Sequence, residues 1–323
     1  MMSIAAIISF IGTAARPLLV LVGPTASGKT DLSLSIAEGL RAQGRGVEII
    51  NADSRQLYCH LDIGTGKIRP EEMRGIPHHL LNVLDPKEGV TAAWYKAEAE
   101  RVIGEIHARG NIPFLVGGSM LYVSAVIDNL QFVKKADRAL RERLEEEYDR
   151  DQGATLYRRL AAQDPETAVS FDRRNKPYVV RAMEILESIG TPSGAKRKEA
   201  SPYDLLLFGL AIPRAALVQK IDARVEQMFA DGWLEEVRSL LARGYRTDDP
   251  GLQSVGYRDI VTFLERGEPS LERLKESIKA QSRQYARRQM TWWRRDERIH
   301  WIVPSPVPQP YSGHPLPDGE GKR

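Results

Sequence analysis

The segment Gly23-Pro24-Thr25-Ala26-Ser27-Gly28-Lys29-Thr30 decides the fold that the sequence predicts. It fits the pattern G-x-x-x-x-G-K-[ST] and lies between the apolar run 18–22, a predicted buried strand, and the helix-like segment 31–41. Such a turn presents backbone N–H groups and the positive end of a helix dipole, to which Lys29 adds an ammonium group and Thr30 a hydroxyl able to hold Mg²⁺. The segment therefore predicts a polyphosphate site, with a purely structural Gly-rich turn as the alternative.

The composition is that of a globular protein. Of 323 residues, 42% are apolar and 28% are charged, and the formal net charge is only +3. The single cysteine, Cys59, excludes an intramolecular disulfide framework and a thiolate-rich zinc site, so we expect a reducing compartment, the cytoplasm. The adjacent His78 and His79 would point to opposite faces of an extended segment, which favours surface or packing roles over a metal site.

The two ends of the chain differ from the rest. Residues 1–16 contain an apolar run from Ile4 to Ile11 without a positively charged leader, so we expect an extension or a wrongly chosen start rather than a targeting segment. No window reaches the length of a transmembrane helix, and no membrane partner is expected. Residues 304–323 are rich in Pro and Gly and predict a disordered tail.

Alternating strand and helix patterns predict an α/β fold with a parallel sheet. Predicted strands cover 18–22, 47–51, 112–116 and 205–212, with weaker candidates at 77–86 and 299–303, and predicted helices cover 31–41, 91–109 and 120–127. The stretch 134–200 is helical and rich in charge, and the C-terminal third is mostly helical. We expect a P-loop NTPase-like parallel sheet core with helices on both faces, plus a helical insertion domain and a helical C-terminal region. The expected divisions are the extension 1–16, a core formed by 17–133 and 201–303, the insertion 134–200 and the tail 304–323.

An arginine-rich stretch lies near the C-terminus. Between 283 and 298 six arginines face only Asp296 and Glu297 in sequence, with Trp292 and Trp293 interleaved. Such a patch can track a phosphate backbone. In the predicted helix 270–293, one stripe typical of core contact holds Leu271, Leu274, Ile278 and Tyr285, which leaves Arg283, Arg287 and Arg288 on other faces for a partner.

Asp53 follows the predicted strand 47–51. Because ligands of open α/β sheets bind beyond the carboxyl ends of the strands, we expect its carboxylate to face the crevice that the phosphate loop lines. The alternative is that Asp53 caps a helix beginning at Arg55.

A phosphate loop alone suggests a nucleotide-dependent kinase or NTPase, but two features weaken that interpretation. No downstream apolar strand ends in a clear Mg²⁺-binding Asp, since the best candidate, 114–116, ends in Gly117-Gly118. No Arg-rich lid lies close in sequence to a second phosphate-contacting segment.

Seven motifs follow one another along the chain: GPTASGKT (23–30), NADSRQLY (51–58), DIGTGK (62–67), GIPHHLLNVLDP (75–86), VGGSMLY (116–122), SVGYRD (254–259) and YARRQMTWWR (285–294). In this order they resemble the tRNA dimethylallyltransferase family, which transfers an isopentenyl-type group to the adenosine beside the anticodon. The resemblance runs from about Pro17 to Val303 and omits only the two ends of the chain.

The resemblance implies that the loop holds the diphosphate of dimethylallyl diphosphate rather than a triphosphate. Charge on the departing diphosphate would be stabilised by the backbone N–H groups of Thr25–Thr30, by Lys29 and by Mg²⁺ on Thr30. It also implies that Arg224 reaches the diphosphate, whereas the sequence alone predicts a helix-surface residue there. Asp53 matches the base that takes a proton from the exocyclic amine of adenine. The residues implied in catalysis are Asp53, Thr25, Lys29 and Arg224.

The same resemblance implies contacts with the tRNA anticodon stem-loop. They fall at Asp53, Ser54, Arg55, Gln56, Ser119, Gln253, Ser254, Val255, Gly256, Tyr257 and Arg258, and in the insertion at Pro177, Tyr178, Val179, Val180 and Arg181; the basic patch adds Arg287 and Arg288. Pro177-Tyr178 stand where the family more often has Gln-Arg. The insertion would grip the anticodon stem, and the adenine would leave its stack to react.

Two other functions stay open. A small-molecule or nucleoside kinase would use the same loop for ATP, and a non-catalytic RNA-binding protein would use only the arginine-rich helix. Nothing in the sequence demands more than a monomer.

Overall fold

The computed structural model describes residues 4–132, 138–188, 190–195 and 199–303. Its strands are β1 (Pro17–Val22), β2 (Val47–Asn51), β3 (His78–His79), β4 (Ile112–Gly117), β5 (Asp204–Leu210) and β6 (Ile299–Ile302). Its helices are α1 (Ile4–Thr13), α2 (Lys29–Arg41), α3 (Ala92–Ala108), α4 (Met120–Ile127), α5 (Arg138–Asp151), α6 (Ala154–Gln163), α7 (Pro165–Val169), α8 (Lys176–Ser188), α9 (Pro192–Ala195), α10 (Arg214–Ala230), α11 (Trp233–Ala242), α12 (Tyr257–Arg266) and α13 (Leu271–Trp293).

The strands form one six-stranded sheet in the order β3-β2-β4-β1-β5-β6, and every pair in it is parallel. The central strand β1 pairs with β4 and β5, and all its residues are buried. An apolar run without alternation is typical of a strand covered on both faces. The predicted parallel sheet is therefore confirmed.

Alternate residues of β1 belong to different cores. Leu18, Val20 and Val22 pack with residues of α3, α4 and α11–α13, while Leu19 and Leu21 pack with residues of α1 and α2. This follows from the two-residue period of a strand. Helices cover both faces of the sheet, as the sequence predicts.

The first residues take part in that packing. Helix α1 lies where the sequence predicts an extension, and its Ile7 and Ile11 are buried in the core shared with α2. Helix α1 therefore packs with α2 against one face of the sheet.

The insertion has a core of its own. Helices α5–α9 lie between α4 and β5, and their buried residues include Leu144, Leu156, Leu160 and Met183. The predicted limits at 134 and 200 stay predictions, because residues 133–137 and 196–198 lie outside the described part of the chain. The predicted tail 304–323 also lies outside it.

The predicted strand 77–86 is mostly wrong. Only His78 and His79 pair with β2, because positive φ angles at Leu80 (59°) and Asn82 (54°) turn the chain away. The predicted strands 47–51, 112–116 and 299–303 differ from the observed ones by no more than a terminal residue. None of the helices in the described ranges combines the length and the apolar character that crossing a bilayer requires.

Candidate active site

Two cavities lie at the carboxyl end of the sheet. The first, of about 400 Å³, is lined by the loop 25–31 together with Asp53, Gln56 and Arg224. The second, of about 370 Å³, is lined by residues that include Ser54, Arg55, Trp233 and Tyr285. Thr25, Ala26, Asp53, Thr65 and Arg224 line both. The two cavities therefore meet along a common boundary.

The phosphate loop has a cradle geometry. Gly28 has φ 88°, a left-handed conformation that glycine adopts without strain, and directly precedes α2. The Lys29 ammonium group donates to the carbonyls of Gly23 (3.1 Å) and Pro24 (2.8 Å). Burial lowers the pKa of Lys29 to about 8, while the charge of Asp53 opposes this shift and that of Arg224 adds to it. The loop thus gathers positive charge at a helix N-terminus.

The predicted set of amide donors in this loop needs a correction. The Thr25 amide donates to the side-chain oxygen of Gln289 at 2.9 Å, so it is already engaged. The Ser27 amide donates to the Pro24 carbonyl at 3.3 Å. The Ser27 hydroxyl is buried, has no hydrogen-bond partner in the described part of the chain, and belongs to a residue that lines the first cavity.

Asp53 is held at the cavity boundary by its neighbours. Its amide donates to the side chain of Asn51 (2.9 Å), which in turn donates to the carbonyls of Asp53 (3.1 Å) and Leu80 (2.9 Å). One carboxylate oxygen accepts from the Arg55 amide at 2.9 Å. The helix-cap alternative is wrong, because the chain makes a turn after Asp53 and no helix of the described residues begins at Arg55.

Arg224 reaches the site from α10. Its guanidinium donates to the carbonyls of Thr65 (3.5 Å) and Gly66 (3.4 Å), and a Cβ at Gly66 would lie 1.7 Å from the guanidinium. Burial lowers the pKa of Arg224, an effect that the negative charge of Asp53 opposes. Glu236 fixes the loop that Arg224 contacts by accepting from the amides of Asp62 (2.9 Å) and Ile63 (2.7 Å). The helix-surface prediction from sequence alone is therefore wrong.

Many of the predicted tRNA-contacting residues line the second cavity. They are Asp53, Ser54, Arg55, Gln253, Ser254, Val255 and Arg288. Gln56 lies instead at the first cavity and donates to the carbonyls of Thr65 (3.2 Å) and Gly66 (3.3 Å). Arg258 is exposed on the first turn of α12.

Other predicted contact residues are buried. Ser119 is 7% exposed and accepts from the Ser54 amide at 2.8 Å. Tyr257 is buried, with its hydroxyl on Glu236, and Gly256 lies against the indole of Trp233.

In the insertion, Val179 and Val180 are core residues. Their side chains are therefore engaged in packing, and an RNA contact at these two positions stays a prediction. Pro177 and Tyr178 lie on the same first turns of α8, and Tyr178 is 59% exposed. Arg181 pairs with Glu184 at 2.9 Å.

The arginine-rich stretch is smaller than predicted. Arg283 is paired with Asp222 (2.7 Å), and Arg298 with Asp128 (2.7 Å) and Asp296 (2.6 Å), while Trp293 is buried. Arg298 is paired but still exposed, and Arg287, Arg288, Arg294 and Arg295 are exposed as well. The predicted availability of Arg283 is therefore wrong.

Tyr285 is not the plain core residue that its helical stripe predicts. It lines the second cavity, where burial and the charge of Asp53 raise its pKa to about 12 and its hydroxyl interacts with Ser119. The sequence also gave no role to Gln289, to Asn51 or to Lys220, which lines the first cavity four residues before Arg224. Lys220 and Arg224 share a helix face through this four-residue spacing, which is the one pattern that could have revealed Lys220.

The fold and the two cavities define a phosphate-loop protein of the α/β class. The profile of the IPP transferase family matches residues 56–296. A tRNA dimethylallyltransferase of Symbiobacterium thermophilum is 44% identical over 290 residues, which cover 88% of this chain and 89% of that protein.

Solved structures agree with this match. The full-length tRNA isopentenylpyrophosphate transferase of Bacillus halodurans is 38% identical, with a TM-score of 0.66 over 89% of this chain and 90% of that one. A eukaryotic dimethylallyltransferase, described as acting on tRNA, is 27% identical to this chain. Its structure superposes with a TM-score of 0.76 over 90% of this chain and 74% of that one. The chain belongs to the IPP transferase family, as the seven motifs predict.

Proposed function

We propose that this protein transfers the dimethylallyl group of dimethylallyl diphosphate to the exocyclic N6 amine of the adenosine next to the anticodon, position 37 of tRNA, and releases diphosphate. The observation that carries the proposal is the common boundary of the two cavities, which places Asp53, Thr25 and Arg224 beside both. The names of the relatives support the same reaction.

The phosphate loop serves the leaving group. As the allylic C–O bond breaks, its electron pair goes to the diphosphate, and the growing negative charge is stabilised by Lys29, Arg224 and the free N–H groups at the start of α2. Lys29 is well suited to this, because its ammonium group donates to two carbonyls and can reorient to donate to a bound anion instead. Thr25 lies at the boundary, where the allylic carbon would pass from one cavity to the other.

Asp53 serves the nucleophile. The N6 lone pair of adenine is delocalised into the ring, so the new C–N bond forms readily only if the amine loses a proton. The Asp53 carboxylate accepts one backbone hydrogen bond and borders the second cavity, from which an extruded adenine would approach. The proton passes from N6 to Asp53, and the positive charge that the nitrogen would otherwise carry is removed.

The loop also fits a Mg²⁺ ion. The hydroxyls of Thr30 and Ser27 belong to residues lining the first cavity, and that of Ser27 is buried without a partner among the described residues. Mg²⁺ is commonly bound by few protein oxygens together with substrate phosphates and water. Bound there, it would neutralise charge on the diphosphate. Thr30 is the residue that we propose as its ligand.

The RNA would lie across the second cavity. Arg288 and Val255 border that cavity, and Arg287 and Arg258 are exposed on α13 and α12. Exposed guanidinium groups at such a mouth can hold the phosphates that flank the extruded nucleotide. The insertion would hold the anticodon stem through its exposed residues, such as Tyr178.

The test is incubation of the pure protein with tRNA and dimethylallyl diphosphate in the absence of ATP, followed by mass spectrometry of the nucleosides. We expect prenylated adenosine from wild-type tRNA and none from a tRNA carrying guanosine at position 37. Phosphate transfer from ATP with no prenylated product would instead favour a kinase, and tRNA binding without any product would favour a non-catalytic RNA-binding protein.

A further inference from the structure

Gln289 lies in the middle of the arginine-rich part of α13, yet it is only 1% exposed. Its side chain reaches two loops of the active site. The side-chain oxygen accepts from the Thr25 amide at 2.9 Å, and the side-chain nitrogen donates to the Gly118 carbonyl at 2.9 Å. Both ends of the amide are therefore engaged at the carboxyl end of the sheet.

The fit is tight on the Gly118 side. A Cβ at Gly118 would lie 2.2 Å from the side-chain nitrogen of Gln289, closer than any side chain tolerates. Glycine at position 118 thus leaves room for the glutamine. When a buried amide loses either partner, a polar group is left buried and unpaired. The free-energy cost of that group exceeds the net contribution of the hydrogen bond to stability.

The same face of α13 holds the Asp53 loop. Tyr285 lies one turn before Gln289 and interacts with Ser119, whose hydroxyl accepts from the Ser54 amide at 2.8 Å. Arg287, on another face, is exposed to solvent. Helix α13 therefore contacts the phosphate loop and the Asp53 loop on one side and presents cationic groups on another.

We propose that Gln289 is a positioning residue for the diphosphate donor. It ties the first turn of the phosphate loop, at Thr25, to Gly118, the residue directly after β4, and so sets the loop geometry from the helix that carries Arg287 and Arg288. Gln289 also lines the first cavity, and the Thr25 amide that it engages serves the shape of the loop. This role rests on the proposed function.

The first test compares Gln289→Ala with Gln284→Ala, which removes an exposed glutamine from the same helix. For Gln289→Ala we expect the KM for dimethylallyl diphosphate and the Kd for inorganic pyrophosphate to rise about five- to fiftyfold, because a buried amide is left unpaired. The Kd for tRNA should stay within about twofold, since RNA affinity is governed by phosphate contacts. Gln284→Ala should leave all three values unchanged.

The second test perturbs the same contact from the opposite side. Gly118→Ala should displace the Gln289 side chain and reproduce the rise in pyrophosphate Kd. In Gly118→Ala/Gln289→Ala the colliding side-chain atoms are gone and only the Gly23 carbonyl, 3.2 Å from the added Cβ, stays close, so the double variant should bind pyrophosphate about as well as Gln289→Ala alone. Residues in contact show this kind of non-additivity, whereas independent sites add. If Gly118→Ala folds poorly, the comparison of the double variant with Gln289→Ala still tests the contact.

Three results would overturn the role of Gln289: a donor KM for Gln289→Ala equal to that of Gln284→Ala, equal losses of tRNA and pyrophosphate affinity, or additive effects in the double variant. All three presuppose a wild-type protein that binds pyrophosphate and prenylates tRNA. A wild-type protein that does neither overturns the proposed function instead.

Discussion

The carboxylate of Asp53 stands beside both cavities, and its backbone is fixed by Asn51 through a pair of hydrogen bonds of 2.9 and 3.1 Å. A base in this place needs orientation as much as basicity, because proton transfer requires the carboxylate within hydrogen-bond reach of the amine. The buried Asn51 supplies that orientation, while one carboxylate oxygen remains engaged by the Arg55 amide.

Asp53→Ala should lose about 10²- to 10⁴-fold in turnover, the usual contribution of a general base, with a much smaller change in tRNA affinity. The measurement is single-turnover transfer with both substrates saturating. Asp248→Asn, which changes an exposed carboxylate far along the chain, is the control. Turnover of Asp53→Ala close to that of the wild type would remove Asp53 from its proposed role.

The lowered pKa of Lys29 predicts that pyrophosphate affinity depends on pH. Burial lowers its pKa to about 8, so the ammonium group is present at pH 7 and is lost as the pH rises through that value. A neutral amine attracts the diphosphate less, and we therefore expect pyrophosphate affinity to fall above pH 8, by up to about tenfold per pH unit. Calorimetric titrations between pH 6 and 10 measure this. An affinity that stays constant up to pH 10 would contradict the assignment.

The sequence identifies the site residues that carry a local pattern and misses those that act across the chain. Lys29 lies in a recognisable motif and Asp53 follows an apolar strand, so both are predicted. Gln289 contacts Thr25 across 264 positions of sequence, and no periodicity within α13 distinguishes it from its neighbours. Arg224 is placed by its contact with Gly66, 158 positions away, and only the family resemblance indicates its role.

At the scale of single elements, the arginines of α13 differ in whether they are paired within the protein or exposed to solvent. Arg283 is bound to Asp222, whereas Arg287 and Arg288 are exposed. Replacing Arg287 and Arg288 by Gln should weaken tRNA binding and reduce the slope of log Kd against log salt by about one to two. The reason is that tRNA binding releases about one counterion fewer for each phosphate contact that is lost.

Arg283→Gln, on the same helix, is the matched control and should leave that slope unchanged. Filter binding at several salt concentrations gives the slopes. If the Arg287 and Arg288 variants keep the wild-type slope, the RNA backbone is held elsewhere.

Helix α7 of the insertion depends on a buried cap. The Asp164 carboxylate accepts from the amides of Thr167 (3.0 Å) and Ser193 (2.7 Å) and from the Thr167 hydroxyl (2.8 Å). Burial by itself would raise the pKa of Asp164, but these hydrogen bonds outweigh it and lower the pKa to about 2. The cap links α7 to the start of α9.

Asp164→Ala should destabilise the insertion by roughly 1–2 kcal/mol, the cost of losing a helix cap. Amide hydrogen exchange in α6–α8 measures this, and Asp164→Asn, which keeps an acceptor oxygen, should lose less. Because the folded pKa lies below the ordinary 3.8, the contribution is complete above that value and is lost as the pH falls through about 2. Unchanged exchange in Asp164→Ala would show that the cap is dispensable.

Elements with strong periodicity are predictable, and elements set by backbone turns are not. The helix 120–127 and the strand 47–51 are observed with the predicted bounds. The segment 77–86 is apolar enough to resemble a strand, but its left-handed residues Leu80 and Asn82 end the pairing after two residues. Asn82 is of a type that tolerates the left-handed region, but Leu80, where the chain first turns, is not, so the sequence does not mark where the pairing ends.

At the scale of the whole molecule, one sheet positions the chemistry. Loops after β1, β2 and β4 meet at the carboxyl ends of parallel strands, which is why residues 25, 53 and 117 border the same cavity. The insertion has its own core and leaves this edge to α10, α11 and α13, which line the second cavity. The fold class is therefore predictable from patterns, whereas the second cavity arises from long-range packing.

The most direct test counts both products of one reaction. With tRNA, dimethylallyl diphosphate and Mg²⁺ but no ATP, we expect one pyrophosphate to be released for each prenyl group gained by adenosine 37, and both products to form about 10²- to 10⁴-fold more slowly with Asp53→Ala. Release of pyrophosphate without prenylated tRNA, or prenylation that requires ATP, would contradict the transfer from the phosphate loop to an adenine beside Asp53.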